Sequence, residues 1–310
     1  MKRDERFPQR LSTPIVDLLK DSAIKGHFAK QNRPIDAVPT PLPKWNEVCG
    51  DMGGRYGLAR GWHITVGANT GHGKTLMGIN MAAHAVQAGE AVGYINLEMS
   101  LEQMASRLYA IMSGVPVRFL EPGKYFELNE TEVARTKINE LVGHSGGSFY
   151  TNGNPIYNVD QITGFMRYLH DEKGCKYFII DYIQRVQANY EDLLKTITDV
   201  SIKITDFAKM FNVITIGLSQ FNRETSKDFK GKPTSQGLMG GSPLENDSNQ
   251  VVLLDHSRSK RQECPDPVTG FKVVTKETFL LIDKNRHGQQ GEIPVMWDFG
   301  TLRINELHTP

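Results

Sequence analysis

The stretch WHITVGANTGHGKT occupies residues 62–75. Its apolar run Ile64-Thr65-Val66 enters a glycine-rich loop that closes on Gly73-Lys74-Thr75, and a helix-like segment follows at once. Strand, glycine-rich turn, Lys-Thr and helix are the order of a phosphate-binding loop. Glycines let successive backbone N–H groups turn inward around phosphate oxygens without a clashing Cβ. Ala68, Asn69, Thr70, Gly71, His72 and Gly73 are therefore expected to wrap a nucleotide's phosphates, with Lys74 neutralising the β- and γ-phosphates. Thr75 is expected to hold Mg²⁺, and the helix N-terminus adds the positive end of its dipole. Ala68 fills the slot where such loops usually carry their first glycine, and Gly67 lies just before it.

The 310 residues allow one large α/β domain, or one domain with an added arm. No run of about 18 apolar residues occurs, so no membrane-spanning helix is expected. The charged start MKRDERFPQR has no apolar stretch behind it, unlike a secretory signal. Cys49, Cys175 and Cys264 are far apart and make no metal-binding spacing, which fits free thiols in a reducing compartment. Net charge is only +1, which excludes a globally basic nucleic-acid coat but leaves room for local basic loops.

Residues 1–44 differ from the rest. Arg33-Pro34, Val38-Pro39 and Pro41-Leu42-Pro43 predict an extended tether. Ahead of it, Thr13 as cap, Pro14 in the first turn and Ile15, Val16, Leu18 and Leu19 on one face predict a short helix at 13–20. A lone amphipathic helix must dock, on its own domain or on a neighbour. The main domain is expected to span residues 45–310.

Past the loop, strands alternate with helices. Strands are expected at 92–97, 148–151, 177–181 and 213–218, with helices at 100–113, 129–142, 159–172 and 192–211 between them. Ser100 with Gln103, and Asn129 with Glu132, carry capping-box spacing. The run Tyr177-Phe178-Ile179-Ile180 is apolar throughout, as in parallel strands buried on both faces. Strands expected at 251–254, 278–283, 293–297 and 302–304 have short links and suggest an antiparallel extension. The fold class is α/β: a doubly wound, mainly parallel central sheet with an antiparallel C-terminal extension and an N-terminal helical arm.

Ligands of open α/β sheets lie beyond the carboxyl ends of the strands. Glu98, Asp181 and Gln220 each end an expected strand and converge with the loop if the strands are parallel. Asp181 is expected to hold Mg²⁺ through water. Glu98 is the expected general base toward an attacking water. Gln220, being neutral, suits a γ-phosphate sensor.

These blocks resemble the ATPase domain of the DnaB-type replicative helicases, a RecA-like P-loop family. The matching residues are the loop 68–75, Asn96-Leu97-Glu98-Met99-Ser100 with Gln103 and Arg107, Ile179-Ile180-Asp181-Tyr182-Ile183-Gln184, Leu218-Ser219-Gln220-Phe221-Asn222-Arg223, and Lys284-Asn285-Arg286-His287-Gly288. DnaB-type loops commonly carry alanine where Ala68 stands. The resemblance implies that residues 45–310 are a RecA-like motor domain, with ATP and Mg²⁺ as cofactors and Arg107 among the nucleotide-binding residues. It also implies that Lys284 and Arg286 reach into a neighbouring subunit's ATP site. Without the resemblance, Lys-Asn-Arg-His-Gly reads as an exposed basic turn.

The segment 222–246 lies where such proteins carry a DNA-binding loop. Arg223, Lys227, Lys230 and Lys232, with Gly231, Gly237, Gly240 and Gly241, suit tracking of single-strand phosphates. Met239-Gly240-Gly241-Ser242 departs from the family's Arg-Glu-Ser-Gly-like stretch. Arg185 is a second expected DNA contact, whereas Arg258-Ser259-Lys260-Arg261 is expected to be a solvated hairpin face. The family's N-terminal collar domain is not expected here, and the helix at 13–20 takes the place of its linker helix.

The resemblance thus implies a ring-forming helicase motor, expected as a hexamer, of phage or plasmid type in the cytoplasm of a bacterium or a phage-infected host. Its expected partners are single-stranded and forked DNA, further copies of itself through the linker helix, and a primase or helicase loader. A RecA-like recombinase filament and a non-motor loader ATPase share much of this residue set. A nucleotide-gated scaffold has no need of a complete hydrolysis set.

Overall fold

The computed structural model describes residues 36–50, 56–121, 128–188, 190, 192–222, 232–265 and 272–307. The expected helix at 13–20, and Arg223, Lys227, Lys230 and Gly231, lie outside the described residues. A two-stranded antiparallel sheet, β1 (Ala37–Val38) and β2 (Leu58–Ala59), precedes the main sheet of ten strands. At the centre of the main sheet runs β3 (His63–Ala68), buried at every residue.

From one edge inward the parallel strands are β5 (Ser148–Thr151), β4 (Ala91–Asn96), β6 (Tyr177–Asp181), β7 (Ile214–Gln220), β3 and β8 (Gln250–Asp255). The antiparallel strands β10 (Lys272–Asn285), β11 (Gly291–Asp298) and β12 (Ile304–Glu306) complete the sheet, and β9 (Arg261–Pro265) folds back on β10 as a hairpin. The strand expected at 251–254 is therefore a correction: it lies parallel to β3, so the antiparallel part begins one strand later. Chain order alone could not show this, because the link from β7 to β8 crosses β3 in space.

The proline-rich stretch is built into the domain from Asp36 onward. α1 (Pro43–Val48) starts on Pro43, and Val38, Leu42 and Trp45 belong to the core. Trp45 donates its indole N–H to Gln250 Oε1 at 3.0 Å, tying α1 to the foot of β8.

Helices cover both faces of the sheet. α2 (Lys74–Gln87) and α3 (Leu101–Ser113) bury Met77, Ile79, Met104 and Leu108 with Ile64 and Val66 of β3 in one core. The capping box at Ser100 and Gln103 is formed as the spacing predicts. The expected cap at Asn129 is corrected, since α4 (Leu128–Ser145) already includes that residue. α5 (Val159–Lys173) and α6 (Leu193–Phe211) bury Ile162, Met166, Val200 and Phe207 with Phe178 and Ile180 of β6 in a second core. Asp192 caps α6 by accepting from Leu194 N at 2.7 Å. The end of the segment 222–246 also holds structure: α7 (Gly241–Asp247) packs on α6. Among the described residues no helix is long and apolar enough to cross a membrane.

A candidate nucleotide site at one end of the sheet

The loop after β3 is shaped by Gly71 and Gly73, whose φ values of +75° and +84° are left-handed. A Cβ on Gly73 would stand 2.8 Å from the Trp297 ring of β11, so that position has neither room nor backbone freedom for a side chain. Gly73 caps α2 with no side-chain bond, which leaves first-turn N–H groups for an anion.

Lys74 is 6% exposed, and its Nζ makes no hydrogen bond. It sits 3.3 Å from the centre of the Tyr182 ring. Burial lowers its pKa to about 8, opposed by the charges of Asp181 and Glu98. A buried ammonium with no hydrogen-bond acceptor is suited to an anionic oxygen.

Asp181 ends β6 fully buried. Its two oxygens accept from Thr75 Oγ1 at 3.2 Å and from the Tyr94 hydroxyl at 2.8 Å. Burial pushes its carboxyl up, and the charge of Lys74 with these two donors pulls it back. No group of three metal-ligating side chains exists among the described residues. A hard cation such as Mg²⁺ still fits beside Thr75 and Asp181, provided that phosphate oxygens and water complete its shell.

A cleft of about 580 Å³ opens over these groups, and Asn69, Thr70, Gly71, Glu98, Arg107 and Gln220 line it. Parallel strands thus bring four sequence-predicted chain segments to one end of the sheet. Gln220 is held from behind. Its N–H donates to Gln184 Oε1 at 3.2 Å, while Gln184 Nε2 donates to Ser219 Oγ and to Met239 O at 2.7 and 3.0 Å. Tyr94, Tyr182 and Gln184 have no role among those expected from the sequence. Tyr182 and Gln184 follow Asp181 within the matched block. Tyr94 lies mid-strand among apolar residues and gave no signal.

Lys284 and Arg286 do not join this cleft. Asn285 pairs with Gln250, and Gln250 with Ile64, so the end of β10 meets the start of β3. The phosphate loop leaves the far end of β3, four residues or about 13 Å of strand away. Lys284 Nζ donates to Glu245 O and Asn246 O, and Arg286 donates to Asn246 O, at the carboxyl end of α7. Burial lowers the Lys284 pKa, and the neighbouring Arg286 lowers it further.

Of the expected DNA contacts within the described residues, Arg185 is exposed just past β6. Lys232 pairs with Glu292 at 2.6 Å. Gly240 is left-handed at φ +79°, and a Cβ there would meet Ile197 of α6 at 2.5 Å; on Gly241 it would meet Ser235 O at 2.6 Å. Close packing accounts for both glycines. Arg258 is held by Asp255 and Glu292 on the exposed face leading into the β9–β10 hairpin.

The family model for the DnaB-like helicase C-terminal domain matches residues 54–306. A probable plasmid replicative DNA helicase of Chlamydia trachomatis is 26% identical over 234 residues, covering 74% of this chain and 48% of that protein. The replicative DNA helicase DnaC of Bacillus subtilis is 26% identical over 295 residues, covering 92% of this chain and 61% of that protein. The chain thus spans about half of the first relative's length. Among solved structures, a DnaB-like replicative helicase described with its primase interactions superposes with a TM-score of 0.72 at 18% identity, over 93% of this chain and 67% of that one. A separately solved ATPase domain gives 0.71 at 17%, over 93% and 97%. These last two show the fold. The chain belongs to the DnaB-like helicase C-terminal domain family.

Proposed function

We propose that this chain is the ATP-hydrolysing motor of a ring-forming replicative DNA helicase. The observation that carries the reading is the split site. One end of the sheet holds Lys74, Thr75, Asp181, Glu98 and Gln220, while the other holds Lys284 and Arg286. The two sets lie apart within one copy, which supports a reading in which a second copy supplies the cations. Repetition of that contact builds a ring, with a hexamer as the expected closure.

Lys74 and the first-turn N–H groups of α2 bind the ATP phosphates. Thr75 and Asp181 would hold Mg²⁺, which would supply further neutralisation of the phosphate oxygens. Glu98, at the open rim of the cleft, orients the attacking water and takes its proton. Arg286 and Lys284 of the adjacent copy stabilise charge that grows on the transferred phosphoryl group. Gln220 bonds the γ-phosphate and reports its loss through Gln184 to Met239, in the segment 222–246 that tracks single-stranded DNA. Arg185 adds a second contact. The helix at 13–20 docks on the adjacent copy, and a primase or helicase loader completes the assembly in the cytoplasm of a bacterium or a phage-infected host.

The test measures ATP turnover with and without single-stranded DNA, and unwinding of a forked duplex. DNA-stimulated turnover with strand separation is expected. Turnover indifferent to DNA, with no unwinding, would sink the proposal in favour of a non-motor ATPase. Arg286→Ala and Glu98→Gln should each be inactive, and their mixture should regain turnover. No recovery removes the action in trans.

A further inference from the structure

The turn that carries Arg286 is fixed more tightly than an exposed basic turn needs to be. The His287 ring lies flat on Trp62, with centroids 4.6 Å apart and planes 14° from parallel. Asn249 Nδ2 donates to His287 Nε2 at 3.2 Å. Arg286 N donates to Asn249 O at 2.9 Å, and Asn249 N donates in turn to His63 O at 2.8 Å. The Asn249 side chain also accepts from His63 N at 3.0 Å. One residue at the foot of β8 thereby ties the backbone of Arg286, the ring of His287 and the first residue of β3 together.

The other side of the turn is equally close. Asn285 Nδ2 donates to Val48 O at 2.9 Å, and a Cβ on Gly288 would clash with the same carbonyl oxygen. Trp62 itself is 7% exposed and forms part of the main core, so the surface on which His287 rests does not move freely. An arginine side chain carries large rotamer entropy, and its charge is useful to a phosphate only if its root is held.

We propose that His287, stacked on Trp62, is a positioning residue that fixes the turn from which Arg286 reaches the neighbouring copy's ATP. The proposal rests on the reading that Arg286 acts in trans. Accepting from Asn249 requires a neutral His287 ring with its proton on Nδ1. Burial and the charge of Arg286 both lower the His287 pKa, which favours that form. The flat stack supplies the positioning, and the Nε2 bond selects the ring's rotation.

The experiment compares His287→Leu, His287→Phe and Arg286→Ala in the full chain, each alone and mixed with Glu98→Gln. His287→Leu should lower kcat by roughly tenfold or more while the KM for ATP stays within about twofold, because its own cleft is untouched. His287→Phe keeps a flat ring on Trp62 and should retain most of the turnover. Mixing His287→Leu with Glu98→Gln should restore activity, since the latter copies bring an intact turn to an intact cleft. A His287→Leu protein with native kcat overturns the proposal. So does a defect shared by the Phe variant, or one that mixing leaves in place while the Arg286→Ala mixture recovers. If the Arg286→Ala mixture fails to recover, the action in trans falls, and with it the role of His287.

Discussion

Lys74 shows what a buried cation demands of its ligand. Its ammonium faces the Tyr182 ring and lacks a hydrogen-bond acceptor. The ring face offers a weak attraction to a cation, which a phosphate oxygen can displace. Lys74→Ala should weaken ATP binding by roughly 100-fold, as titration with a fluorescent nucleotide would show, since every factor of ten is about 1.4 kcal/mol. The depressed pKa of about 8 adds a pH signature. A phosphate beside the amine raises that value, so ATP binding should take up a proton near pH 8, and affinity should fall as pH rises from about 7 to 10. Calorimetry in buffers of different ionisation enthalpy measures the uptake. The sign for stability is opposite. The unfolded chain keeps this proton up to 10.5 while the folded, ligand-free protein loses it near 8, so this group makes folding more favourable as pH rises through that window.

Two devices between elements hold the described part of the segment 222–246, and the first of them joins it to the cleft. Gln184 fastens the end of β7 to Met239, and Phe221 and Leu238 form a bridge beside it. Gln184→Ala should therefore leave DNA-free turnover near native and cut its stimulation by single-stranded DNA several-fold, which a coupled ATPase assay reads directly. An equal loss in both conditions would place Gln184 in catalysis instead. The second device is the seating of α7 on α6 at Gly240. Gly240→Ala combines a strained left-handed φ with a clash on Ile197, and should cost about 1–3 kcal/mol in denaturant unfolding. The four-part signature of strand, loop, carboxylate strand and sensor strand was legible because each part is local and periodic. The parallel setting of β8 was not, because pairing across β3 leaves no mark in the sequence of β8.

At the scale of the whole molecule the sheet acts as a spacer with a nucleotide cleft at one end and a cation turn at the other. Under the proposed function, assembly joins unlike ends, head to tail, in a heterologous contact that closes as a ring or runs on as a filament. The helix expected at 13–20 is proposed to hold neighbours in register. Removing residues 1–35 should shift the protein to smaller species in multi-angle light scattering, while ATP binding by the single copy persists. An assembly of unchanged mass would free that helix from this role.

The phosphate loop, the carboxylates Glu98 and Asp181, the alternation of strands and helices and the family are legible in residue type and short-range spacing. For Lys284 and Arg286 the residues alone favour an exposed turn over a catalytic pair. Their place across the sheet from their own Lys74 comes from the packed fold, since strand order and direction are set by contacts between distant segments. The same holds for Tyr94, Tyr182, Gln184 and the stack of His287 on Trp62. Their partners lie far away in sequence or turn toward them only once the strands are packed, and no local pattern encodes a meeting of that kind.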